Sequence, residues 1–100
     1  MSNNFFPLTA EELFNRINKI PKVKLAMLPT SLEYLPNISK ELEINLYIKR
    51  DDCTALAFGG NKTRHLEFIM AKAVSGDYDC ILTGAASQSN WCRQAVAAAN

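Results

Sequence analysis

One hundred residues, 48% of them apolar, describe an ordinary globular chain with room for one small domain or a piece of a larger one. Eleven basic against ten acidic residues leave a net charge of +1, which gives no electrostatic reason to expect nucleic acid or an anionic membrane as partner. No apolar run approaches the roughly 20 residues of a membrane span, and Met1–Pro7 lacks the pattern of a secretory signal, so a cytoplasmic protein is expected.

In chain order, Thr9-Ala10-Glu11-Glu12 is a capping box that opens a helix over residues 9–20. Leu8 and Leu13 sit at staple positions, Leu13, Phe14 and Ile17 share an apolar face, and Pro21 stops the helix. Residues 28–36, punctuated by Pro29 and Pro36, read as extended chain with a turn. A brief helix follows over 37–42 with Asn37 as its cap. Ile44-Asn45-Leu46-Tyr47-Ile48-Lys49 reads as a strand, closed by Arg50-Asp51-Asp52, which suit a solvated end or a local ion pair.

A loop then runs to Gly59-Gly60, and a helix starts at Asn61 or Lys62. In that helix Leu66, Ile69, Met70 and Ala73 form an amphipathic stripe, and Ser75-Gly76-Asp77 ends it. Cys80-Ile81-Leu82-Thr83 reads as a short strand buried on both faces of a parallel sheet. A last helix opens near Ser89-Asn90 and continues through an alanine-rich run. This order is βαβ logic: an α/β fold in which the two strands lie parallel over a core of Leu46, Ile48, Leu66, Ile69, Met70, Ile81, Leu82 and Val96. Two strands make no stable open sheet alone, and the last helix carries no closing glycine, so the chain is expected to be a fragment.

Cys53, Cys80 and Cys92 are odd in number and match no metal or redox spacing, which predicts three reduced, mostly buried thiols. His65 cannot complete a zinc site with them on spacing alone.

In open α/β sheets, ligands sit where strands lead into helix N-termini. Two such junctions exist: Gly59-Gly60-Asn61-Lys62-Thr63-Arg64 and Ser87-Gln88-Ser89-Asn90-Trp91. Small residues let a ligand approach the backbone, and the second junction offers free N–H groups to an anion. Neither is a P-loop or a GxGxxG turn. Taken by themselves, Lys62 fits a solvated first-turn lysine, Ser89 or Asn90 an N-cap, and Trp91 a packing residue more readily than a substrate lid.

The continuous text Leu46 to Thr54, then Leu56 to Arg64, then Leu66-Glu67-Phe68 resembles the family of D-cysteine desulfhydrases and 1-aminocyclopropane-1-carboxylate (ACC) deaminases. Pro29-Thr30 with Leu32-Glu33 upstream, and Gln88-Ser89-Asn90 with Arg93-Gln94 downstream, fall in the same order, so the likeness runs from about Leu25 onward. It implies an open, mainly parallel, three-layer α/β sheet of the tryptophan synthase β type, called fold type II. Residues 1–100 would be the N-terminal fragment of a larger two-domain enzyme, with the βαβα unit over 44–100.

The resemblance further implies that Lys62 holds pyridoxal 5′-phosphate as a Schiff base and afterwards moves protons. Asn90 would hydrogen-bond the cofactor's ring hydroxyl. Backbone N–H groups from Ser89 through Trp91 would receive the substrate carboxylate, and the Ser89 hydroxyl would act as nucleophile or proton relay. A single cofactor touching both Lys62 and Asn90 requires the two to converge on one cleft. No metal is implied. The expected partner is a small amino-acid substrate, in a homodimeric full-length enzyme. The phosphate loop and the partner of the pyridine nitrogen would lie beyond Asn100.

Three departures from the family pattern stand out. His65 takes the place of a second lysine, Ala85-Ala86-Ser87 replaces a Gly-Gly-aliphatic turn, and Ala55 stands where glycine is frequent. The activity expected first is a D-cysteine desulfhydrase, releasing pyruvate, ammonia and hydrogen sulfide. ACC deaminase and cysteate sulfo-lyase are the enzyme alternatives, and a non-catalytic ligand-binding module is the alternative from another class.

Overall fold

In the computed structural model, residues 7–100 are described, so the segment 1–6, most of the stretch read above for signal character, lies outside them. Thr9 caps α1 (Ala10–Asn18), and the expected capping box is formed in full: the Glu12 N–H donates to Thr9 Oγ1 at 3.2 Å and the Thr9 N–H to Glu12 Oε2 at 2.9 Å. Leu13, Phe14 and Ile17 on the apolar face of α1 are exposed, and no residue of this helix is buried.

The extended segment and the predicted strand turn out to be partners. Leu32–Tyr34 (β1) pairs antiparallel with Tyr47–Lys49 (β2) in the register Leu32↔Lys49, Glu33↔Ile48, Tyr34↔Tyr47, with the two tyrosine rings 5.2 Å apart. Between them lies α2 (Pro36–Leu42). Its cap position is Leu35 and not Asn37, because Pro36 takes the first helical place, where its missing N–H costs nothing. Ser39 binds α2 to the ladder by accepting from the Leu46 N–H at 2.9 Å.

The expectation of two parallel strands is therefore overturned. β2 takes its hydrogen bonds from the nearer segment β1, and residues 80–83 form no strand among the described residues. A strand of the doubly buried kind needs neighbours along its edges, and the described chain offers none there.

Two helices carry the packing. In α3 (Lys62–Ser75) the buried residues are Thr63, Leu66, Glu67, Met70 and Ala71; in α4 (Asn90–Ala99) they are Gln94 and Ala95. Leu66, Met70 and Ala95 form the core, flanked by Val23, Leu25, Trp91 and Ala98. Of the eight core residues expected, Leu66 and Met70 are buried and Leu46 is half-buried. Ile48, Ile69, Ile81, Leu82 and Val96 are exposed, Leu82 at 93%. The cause is the orientation of α3, whose inner face meets α4 and the strap 23–26 instead of a sheet. Glu67 fastens that strap: its carboxylate oxygen Oε1 accepts from the N–H groups of Leu25 and Ala26, each at 3.0 Å.

The chain exposes 8378 Å², whereas a compact protein of its 11.1 kDa exposes roughly 5,700 Å². Its radius of gyration is 17.7 Å, against about 13 Å for a compact chain of this length. Apolar faces on α1, α3 and α4 are left open to solvent. The three cysteines are free, as expected, but Cys53 and Cys80 are exposed and Cys92 is only half-buried. Cys80 belongs to the segment without a strand partner, which accounts for its exposure. No helix among the described residues is long and apolar enough to cross a membrane.

The loop into α3 is tightly bent. The Leu56 N–H donates to the Thr54 carbonyl at 3.1 Å across Ala55, which sits at φ 75°, ψ −42°. This is the γ-turn geometry that strains any residue with a Cβ, and glycine would adopt it with less strain than Ala55. Ala55→Gly is expected to raise stability by about 1 kcal/mol, read from chemical denaturation midpoints.

Candidate active site

The turn that delivers Lys62 is held by a buried polar cluster. Thr54, Thr63 and Gln94 are each fully buried. Thr54 Oγ1 donates to the Gly60 carbonyl at 2.7 Å and accepts from the Gly60 N–H at 2.9 Å, closing both backbone groups of that residue. Thr63 Oγ1 donates to Gln94 Oε1 at 2.7 Å, and Gln94 Nε2 donates to the Gly59 carbonyl at 3.1 Å. Thr63, second in α3, thus meets Gln94, fifth of the ten residues of α4.

Gly59 and Gly60 are required there. Gly59 has φ 78°, ψ 174°, a region open only to glycine, and a Cβ on it would stand 1.9 Å from the Asp52 carbonyl oxygen. A Cβ on Gly60, at φ 137°, would stand 2.2 Å from Gln94 Nε2.

Lys62 is the first residue of α3 and is half-buried. Its amine makes no hydrogen bond or ion pair among the described residues, and His65, one turn on, is exposed. The neighbouring cations are engaged. Arg64 grips Asp51 with two bonds of 2.8 Å, and both touch Thr30 Oγ1, at 3.2 and 3.0 Å. Arg50 joins Glu33 at 3.0 Å and Asp52 at 2.8 Å. The ion-pair reading of Arg50-Asp51-Asp52 thus describes what these residues do. Hydrogen bonding from Arg64 holds the Asp51 carboxyl below its usual range, and Arg50 lowers that of Asp52 to about 2.

Lowered folded-state values mean that these contacts stabilise above the ordinary value of 3.8 and weaken as pH falls below it, that of Asp52 being lost toward about 2. Thermal midpoints measured across that window should fall with acid, and Asp51→Asn should flatten the slope.

At the second junction Ser89 caps α4. Its Oγ accepts from the Trp91 N–H at 3.1 Å and the Cys92 N–H at 3.3 Å. The Trp91 N–H is consequently occupied, leaving the Ser89 and Asn90 N–H groups without a partner among the described residues. Trp91 packs on the core, and its indole N–H donates to Thr83 Oγ1 at 2.6 Å, so its side chain is a packing residue. Asn90 is exposed, and its Oδ1 accepts from Arg93 Nη2 at 3.0 Å. The same Nη2 donates to the Gly59 carbonyl at 3.2 Å. Arg93 therefore connects the turn before Lys62 to the side chain of Asn90.

Sequence reasoning gave no role to Thr54, Thr63, Arg93, Gln94 or Glu67. The available signal was a pair of polar residues, Arg93-Gln94, interrupting an otherwise small and apolar helix. No group of three or more potential metal-ligating residues occurs among the described residues.

The family model for pyridoxal-phosphate dependent enzymes matches residues 23–100. The chain belongs to this family. Within the pyridoxal-phosphate dependent enzymes, it is 47% identical over 85 residues to a D-cysteine desulfhydrase of Salmonella paratyphi C (strain RKS4594), an alignment covering 85% of this chain and 26% of that protein. A D-cysteine desulfhydrase of Salmonella paratyphi B (strain ATCC BAA-1250 / SPB7) is 46% identical over the same length. The crystal structure of an ACC deaminase homologue superposes with a TM-score of 0.75 at 42% identity, covering 83% of this chain and 26% of that one. The chain thus spans about a quarter of the length of these relatives.

The residues present fit the family's cofactor. An amine without an ion-pair partner suits an aldehyde, and the glycine turn beside it leaves the backbone bare of side chains. Asn90 Nδ2 and the buried Arg93 Nη1 are donors without a partner among the described residues.

Proposed function

We propose that this chain is the N-terminal part of a longer, two-domain pyridoxal-phosphate lyase of the tryptophan synthase β type, with D-cysteine as substrate. The products are pyruvate, ammonia and hydrogen sulfide, with one water consumed. The observation that carries the reading is the Lys62 amine, unpaired among the described residues, which follows a Gly59-Gly60 turn whose Gly59 carbonyl is joined through Arg93 to Asn90. The excess of exposed apolar surface supports a larger whole, whose further strands would flank residues 80–83 and complete a mainly parallel sheet. A homodimer in the cytoplasm belongs to the same reading.

Lys62 would hold the cofactor, and Asn90 would donate to its ring oxygen. Bound there, pyridoxal phosphate supplies an electron sink for charge developing at the substrate's α-carbon. The chain's own contribution is to move protons. The Lys62 amine takes the α-proton, and the departing thiolate leaves without needing a nucleophile. The Ser89 and Asn90 N–H groups and the positive end of α4 receive the substrate carboxylate.

Ser89 separates the two readings the relatives suggest. Deamination of ACC, favoured by the likeness to the ACC deaminase homologue, opens a ring that carries no α-hydrogen and needs a nucleophile or a proton relay at the start. Ser89 Oγ already accepts two N–H groups, so its lone pairs are engaged and its proton is the part left to act. This weighs against Ser89 as a nucleophile in ring opening and supports elimination with Ser89 as an aid. In the full-length enzyme, Ser89→Ala should keep sulfide release from D-cysteine within about 10²-fold of wild type. Sulfide from D-cysteine and α-ketobutyrate from ACC are measured side by side; a wild type making ketobutyrate and no sulfide would reverse the choice.

A further inference from the structure

We propose that Arg93 is a positioning residue that fixes which way the Asn90 amide faces, so that Asn90 offers its NH₂ group and not its carbonyl to an anionic ligand oxygen. The inference rests on the reading of Asn90 as the contact to the cofactor's ring oxygen. An asparagine amide has a donor end and an acceptor end, whereas a guanidinium has donors alone. Arg93 Nη2 stands 3.0 Å from the Asn90 side-chain oxygen, so chemistry forces the acceptor end toward Arg93 and turns Nδ2 away. Nδ2 has no partner among the described residues.

Arg93 differs in this from Arg50 and Arg64. Those two face carboxylates. Nη2 of Arg93 faces neutral oxygens only, the Gly59 carbonyl and the Asn90 amide, and α4 carries no acidic residue. The Gly59 carbonyl accepts from Gln94 Nε2 as well, which fixes the far end of the bridge. Charged or titratable side chains near this end of α3 and α4 include Lys62, Arg64 held by Asp51, Asp52 held by Arg50, exposed Cys53 and His65, Cys92 and Arg93 itself. A correctly turned Asn90 stabilises a phenolate-like oxygen; a freely turning one presents its carbonyl part of the time and repels it.

The test uses the full-length protein loaded with pyridoxal phosphate, as wild type, Arg93→Met, Asn90→Ala and the double variant. The readout is the pH midpoint of the bound cofactor's visible absorption band. Losing the Asn90 donor makes the ring oxygen more basic, so Arg93→Met and Asn90→Ala should each raise the midpoint by about one pH unit. The double variant should move it no further than Asn90→Ala alone, because Arg93 acts through Asn90. A general structural defect would instead add its effect in both backgrounds. An unmoved midpoint in Arg93→Met, or an equal further shift on the Asn90→Ala background, overturns the proposal.

Should Arg93→Met fail to fold, Arg93→Lys, which keeps a charged donor but cannot span both oxygens, should show a smaller shift in the same direction; no shift overturns the proposal. A wild type that takes up no cofactor would refute the functional reading and leave Arg93 to a second measurement. In the cofactor-free protein, the Asn90 side-chain amide signals should lie away from the shifts of a free asparagine in wild type and move to those shifts in Arg93→Met. Unchanged signals overturn the proposal.

Discussion

Lys62→Ala in the full-length enzyme is expected to lower turnover by about 10⁴-fold or more, whichever amino acid proves to be the substrate. The amine serves as the covalent anchor of the cofactor and as the proton carrier, so one substitution removes both functions together. Free amine in the buffer restores the proton carrier alone, so rescue should stay partial. The side chain is half-buried at the first position of α3 and bonds to nothing described, so its removal should leave the fold intact. Stability of the cofactor-free variant within about 0.5 kcal/mol of wild type checks that separation. The visible band from bound pyridoxal phosphate should be lost with the activity. A variant that retains both band and turnover would remove the basis of the functional reading.

How much of this was legible in the sequence depended on the range of the forces concerned. The start of α1 was legible, since a capping box closes its hydrogen bonds within four residues. So were both ends of α3 and the start of α4, where glycine, serine and periodicity act locally. Strand pairing was not. Whether 44–49 takes its partner from 32–34 or from 80–83 is decided by contacts distant along the chain, and residues 80–83 show the right composition with no partner to express it.

The candidate site was legible as residue types and not as wiring. Lys62, Ser89, Asn90 and Trp91 were named from their junctions. The Thr54–Thr63–Gln94 cluster that sets their positions spans up to 40 residues and makes no periodic pattern. Ser89 turned out to be an N-cap by geometry, which leaves its hydroxyl proton, and not its lone pairs, for chemistry.

Gly59→Ala is expected to cost about 3 kcal/mol or more of stability, the largest loss from a single added methyl group in this segment. Two separate penalties fall on it. The backbone at φ 78°, ψ 174° disfavours any Cβ, and that Cβ would lie 1.9 Å from the Asp52 carbonyl oxygen, a backbone atom that no rotamer change can move aside. Relief would require shifting the 3-10 turn at Asp51–Cys53, which Arg64 pins through Asp51. It would also pull the Gly59 carbonyl from Arg93 and Gln94, so cofactor binding should weaken together with stability. Denaturant midpoints of Gly59→Ala and wild type in the full-length protein test the claim. A Gly59→Ala protein equally stable would mean that the turn before Lys62 is free to rearrange, and that Lys62 is not held where the structure places it.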